Sequence, residues 1–183
     1  MTAMPSRYHP LWVLAHWLTA LLLAVSLVGG LAVLRHVPNS DPGKAHLIAG
    51  HAAAGLVIGG LLASRLLLRV VTRRPAPADA GHAALNRGRQ ILHALLYVAA
   101  FSMVFTGLGM LRSAGAFGAV FGRGGALPAD FWDYPPRHGH FVYARVLLIL
   151  IAMHIALVAY HEIRRRDSLL RRMWFGRRVP PQQ

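Results

Sequence analysis

His140 and His154 lie fourteen positions apart in one apolar stretch whose only charged interruption is Arg145. Neutral imidazole is the side chain best suited to ligate a transition metal, and it titrates near neutral pH, so paired histidines suggest metal or proton chemistry. In a helix rising ~1.5 Å and turning ~100° per residue, the two rings stand roughly 21 Å apart along the axis and return to nearly one face. The chain holds 11 histidines and no cysteine. Disulfides, thiolate sites and iron–sulfur ligation are therefore excluded, and metal chemistry must use His, Met or carboxylate.

Those histidines must be positioned by unusually apolar elements. Of 183 residues, 55% are hydrophobic and 14% charged, and the mean hydropathy is +0.44, too apolar for an ordinary soluble domain. Four stretches are long enough to span a bilayer: about 11–34, 47–71, 91–111 and 141–160. In hydrocarbon each must satisfy its backbone groups internally, so each is a helix. The expected fold is all-α, an integral membrane four-helix bundle forming one domain over 1–183, with a basic tail at 162–183. The first stretch has Arg7 before it and an apolar centre at 21–28, as a secretory leader would. It is too long, carries His16 and Trp17, and lacks a convincing cleavage site, so it reads as the first helix.

The formal net charge of +14 and pI of about 11.8 could suggest a nucleic-acid partner. The charges instead cluster at the ends of apolar segments, where topology and anionic lipid account for them. The N-terminus, the link between helices two and three and the C-terminal tail, with their borders, carry 14 arginines, among them Arg69, Arg87, Arg164, Arg172 and Arg178; the other two links and their borders hold Arg35, Lys44, Arg112, Arg123, Arg137 and Arg145. Both termini are thereby expected to be cytoplasmic. The Pro/Ala stretch 74–81 is a short inner linker. The outer link 113–139, rich in Gly, Pro and aromatics including Phe117, Phe121, Phe131, Trp132 and Tyr134, suits a lid lying on the membrane.

Sorted by depth, His16 and His154 fall in the inner halves of helices one and four, whereas His51 and His140 fall at the outer starts of helices two and four. Two inter-helical pairs result. Axial bis-histidine ligation needs two neutral imidazoles on opposite sides of one iron, a geometry that facing helices supply. Two b-type haems stacked across the membrane follow as the expectation. Gly55 and Gly59 on helix two, with Gly29, Gly30, Gly107 and Gly109 on helices one and three, suit either close helix contact or room for a flat macrocycle. His46, on another face from His51, is a weaker ligand candidate, and His138, His9, His36 and His82 read as interfacial or loop residues. No C-x-x-C-H occurs, so covalent haem attachment is not expected.

Taken together these elements resemble the bacterial cytochrome b561 family, four-helix membrane cytochromes with two b haems. The matching residues are His16-Trp17, His51 with Gly55 and the run Arg65 to Arg69, and His93 with Tyr97 and Gly107. His140, His154 and His161 continue the match, followed by Asp167, Leu170, Arg172 and Met173. Nearly the whole chain is covered. Val104 departs from the proline often found before the glycine of helix three, which bears on that helix's kink and on no ligand.

The resemblance implies the same pairing, His16 with His154 and His51 with His140, and a place in the bacterial inner membrane. It also implies ubiquinone close to the inner haem, at His93 and His161, where titratable imidazoles suit a two-electron, two-proton reduction. Tyr97, Tyr160 and Glu162 are possible assistants there. Superoxide is the implied donor at the outer face. The outer cations suit such an anion, and pairing with haem propionates or lipid phosphates is the other use for them, Arg145 in particular. Arg69, in the matching run, joins Arg145 as a candidate cofactor contact. The expected function is a superoxide:ubiquinone oxidoreductase. Its rivals are a haem b anchor relaying electrons between quinone and a hydrogenase or formate dehydrogenase, and a haem-free metal or proton transporter. A homo-oligomer is compatible with the sequence.

Overall fold

The computed structural model describes residues 4–77, 83–166 and 168–177; His82, Asp167, Arg178 and the end of the inner linker lie outside the described residues. All regular structure among the described residues is helical. Helix α1, Pro10–Val28, starts on a proline, whose missing N–H costs nothing at a helix start, while the His9 ring accepts from the Leu11 amide at 3.3 Å. It continues as a wider π-type turn over Gly29–Leu34. Helix α2 is Lys44–Val71 and α3 is Ala83–Ser113. After a short α4, Phe117–Val120, and a tight turn at Phe131–Asp133, α5 runs Pro135–Tyr160 and extends through a π-type turn to Arg165. A four-residue α6, Leu169–Arg172, closes the described chain.

Four helices are long and apolar enough to cross a membrane: Pro10–Leu34, Lys44–Val71, Ala83–Ser113 and Pro135–Arg165. The third begins two turns before the apolar run at 91 that marks it in sequence. Hydropathy registers only the stretch that lipid requires, whereas residues such as Ala83, Ala84, Leu85 and Arg87 extend the helix because they are good helix formers in water too. The outward faces carry large apolar side chains, Val70 at 84% and Phe105 at 68% exposure among them, which suits acyl chains as solvent.

Helix α1 packs along α2, α2 along α3, and α3 most extensively along α5; α5 stands off from α1 and α2. One core cluster joins Ile58 and Leu62 of α2, Leu92, Ala99 and Ala100 of α3, and Leu147 and Leu150 of α5. A second lies at the end of the bundle where Ile48 and Leu111 meet Ala116, Val120 and Phe131. The 113–139 link is thus folded onto the helix ends with buried residues of its own. Glycines at 122, 124 and 125 take positive φ and let it double back there.

Two tethers hold the ends. The buried Lys44 ammonium donates to the carbonyls of Leu34 and Val37, capping the end of the first span with a cation from the start of the second. At the opposite end the tail returns to α1: Trp17 Nε1 donates to the Met173 carbonyl at 2.8 Å and Arg7 to that of Phe175 at 2.7 Å.

Candidate functional site

The gap between α5 and the α1–α2 pair is bridged at two levels by imidazoles. Toward the end bearing the 113–139 link, His51 of α2 faces His140 of α5, ring centroids 6.2 Å apart and planes at 70°. Fourteen residues further along α5, His154 faces His16 of α1 at 6.4 Å and 66°. Two axial imidazoles on one iron have ring centres roughly 6.3 Å apart when each metal–nitrogen bond is ~2 Å, and the rings are free to rotate about that common axis. Both separations fit. The pairs join helices that do not pack tightly on each other.

Around the first pair that space is explicit. A cavity lined by Leu23, Ser26, Gly55, Met103, Gly107 and Leu147 contains both His51 and His140. Gly55 meets nothing within 4 Å of where a Cβ would stand, leaving α2 thin at the cavity wall. Gly107 acts differently: a Cβ there would come within 3.3 Å of the His140 ring, so its absence lets that ring lie against α3. In that position His140 Nδ1 lies 3.1 Å from the Met103 carbonyl and 3.2 Å from Thr106 Oγ1.

A third imidazole joins the second pair. His93 of α3 stands 5.3 Å from His154, its Nδ1 2.8 Å from the Arg89 carbonyl. One turn along α3 is Tyr97, with the Arg65 guanidinium 5.4 Å from its ring. Arg65 Nε, Tyr97 OH and His16 Nδ1 are buried with no hydrogen-bond partner among the described residues. His161, at the turn ending α5, is buried at 4% exposure with its ring edge-on to Tyr160.

Other candidates fall outside the gap. Arg69 is exposed on α2. Arg145 is exposed too, its guanidinium stacked 3.3 Å from the Phe141 ring centre and bonded to that residue's carbonyl. Glu162 accepts from the Leu170 amide at 2.6 Å and so ties the tail to α5. His46 is exposed, and His138 bonds the Trp132 carbonyl at 3.0 Å in the outer link. No group of three or more His, Asp or Glu forms a metal-ligand cluster among the described residues; the candidate centres are imidazole pairs.

Across residues 7–176 the chain matches the family model for prokaryotic cytochrome b561. It belongs to that family. Searches of curated proteins and of solved structures returned no match. As a prokaryotic cytochrome b561, with four spans of apolar helix, it is a multi-pass inner-membrane protein that binds haem b and transfers electrons.

Two residues of this cytochrome escape a reading of its sequence, and so does the placement of a third, Arg65 of the matching run. Thr106 and Met103 contact His140 through helix packing that periodicity does not specify. Arg65 counts in sequence as one more inner cation, yet the structure turns it inward while its neighbour Arg69 stays exposed. The one available signal is its spacing: an arginine two turns inside an apolar run costs too much to be there without a partner.

Proposed function

We propose that this cytochrome is a di-haem b oxidoreductase that oxidises superoxide at the periplasmic face and reduces ubiquinone near the cytoplasmic face. The observation that carries the proposal is the pair of His–His separations, 6.2 and 6.4 Å, at two heights in one gap. His51 and His140 would hold the outer haem and His16 and His154 the inner one, each through a neutral ring nitrogen. Bound there, the haems supply one-electron carriers spaced across the bilayer. Both termini lie in the cytoplasm on this reading, in keeping with the distribution of arginines.

Outer cations draw the anionic donor, with Arg123 in the outer link and Arg137 in the first turn of α5. Arg69 and Arg145, exposed on their helices outside the gap, would meet haem carboxylate tails only where these reach the interface. His93 and His161 bind and protonate the quinone. Two superoxide ions each lose one electron to give oxygen, and one quinone takes those two electrons with two protons to give quinol. Arg65 and Tyr97 line the same region and hold buried polar atoms in need of partners.

The test uses purified, haem-replete protein. Pyridine haemochrome analysis should give two haems per chain, and a superoxide source should reduce them, with added ubiquinone reoxidising them. Haem reduction by quinol alone, together with copurification of an iron–sulfur subunit, would instead identify a membrane anchor. Absence of a b-type α-band would leave a transporter.

A further inference from the structure

Resting on the two-haem reading above, we infer that Thr106 is a positioning residue that lowers the reduction potential of the outer haem through His140. Thr106 Oγ1 lies 2.6 Å from the Ser102 carbonyl and 3.2 Å from that of Met103, so its one proton is committed to the α3 backbone. Toward His140 Nδ1, at 3.2 Å, the hydroxyl oxygen then has only a lone pair to present. The other neighbour of that nitrogen, the Met103 carbonyl at 3.1 Å, is an acceptor by nature. Two acceptors at one nitrogen require it to carry the proton. His140 is thereby fixed as the Nδ1–H tautomer, with the Nε2 lone pair free for a metal.

The contact exists because of the glycine beside it. At Gly107 a Cβ would stand 3.3 Å from His140 Cε1 and 3.5 Å from Nδ1, so a side chain there would push the ring off the α3 carbonyl. At the other level His16 Nδ1 is buried without a partner among the described residues. An acceptor on the far nitrogen raises the basicity of the ligating one, which favours the ferric over the ferrous state of the iron it holds. The anchor therefore adds driving force for electrons to leave the outer centre for the inner one. It gives α3, which supplies neither proposed ligand of that centre, a part in setting the direction of flow.

The experiment is a spectroelectrochemical titration of purified protein carrying Thr106→Val, which keeps the side-chain shape and removes the oxygen, and Thr106→Ser, which restores it. Haem content is measured first, so that fewer than two haems in the unaltered protein counts against the two-haem reading itself. With two haems present, Thr106→Val should raise one midpoint and leave the other in place, and Thr106→Ser should return it. In a His154→Ala background, which retains only the outer centre on this reading, the same upward shift should persist. Unmoved midpoints in Thr106→Val, equal movement of both, or a shift in Thr106→Ser as large as in Thr106→Val would overturn the inference. Should Thr106→Val lose haem, Thr106→Cys, with its weaker acceptor, supplies the comparison: an upward shift of one midpoint supports the assignment and an unmoved one refutes it.

Discussion

His93 stands nearer to His154 than His16 does, with ring centroids 5.3 Å apart against 6.4 Å. The shorter distance leaves too little room for an iron between the rings, since two axial imidazoles require roughly 6.3 Å with ~2 Å bonds. Proximity therefore argues against His93 as a ligand. Replacing His16 by Ala should halve haem content, whereas His93→Ala should retain both haems, as measured by pyridine haemochrome per mole of protein. Haem loss in His93→Ala with retention in His16→Ala would reverse the assignment.

Gly107 is predicted to be intolerant of a large side chain. Alanine already requires the His140 ring to yield by a few tenths of an ångström, because its Cβ would sit 3.3 Å from Cε1. Leucine would reach into the cavity that both His51 and His140 line. Gly107→Leu should lose the outer haem and keep the inner one, leaving about half the α-band absorbance.

The vertical arrangement of the histidines was legible in the sequence because hydrocarbon thickness and the helical repeat together fix depth and face. His16 and His154 could be matched on those two periodicities alone. What periodicity does not carry is which helices lie side by side. That α3 rather than α1 packs most extensively along α5 emerges only in the structure, and with it the contact of Thr106 with His140. The outer link shows a related limit. Ala116, Val120 and Phe131 are buried there, yet they are too sparse for any repeat to mark them as core.

His161 separates ligation from quinone chemistry. It is seven residues beyond His154 and buried at 4% exposure, in the turn that ends α5, and it has no part in either bridging pair. His161→Ala should keep both haem spectra and both reductions by superoxide while slowing reoxidation by ubiquinone at least tenfold, equivalent to about 1.4 kcal/mol of lost transition-state stabilisation. Loss of half the haem in this variant would move His161 into the ligand set.

The tail should be released from α1 by a single change. Trp17 Nε1 donates to the Met173 carbonyl at 2.8 Å, and its ring lies edge-on to Trp174 at 5.8 Å. Trp17→Phe removes the donor and keeps an aromatic body. With a typical hydrogen bond worth about 1 kcal/mol net, the variant should bind both haems normally but show faster proteolysis of the C-terminal segment. Equal cleavage rates would mean that Arg7 and the Tyr8 amide, bonded to the carbonyls of Phe175 and Arg172, hold the segment unaided.

Electrostatic steering makes the last prediction, and the structure separates its two cations. The Arg137 guanidinium lies 4.5 Å from the Trp132 ring centre, so Arg137→Gln would disturb the outer link as well as remove charge. Arg123 is exposed in the glycine-rich turn, and its side chain is the cleaner probe. Charge that draws an anion from a distance acts over roughly 10 Å at 0.1 M salt and is screened as salt rises. Arg123→Gln should therefore slow superoxide oxidation at low ionic strength, converge on the unaltered protein at high ionic strength, and leave reduction by an uncharged donor untouched. A second-order rate constant that keeps the same dependence on salt would assign Arg123 a role in the fold of the link rather than in capture of the donor.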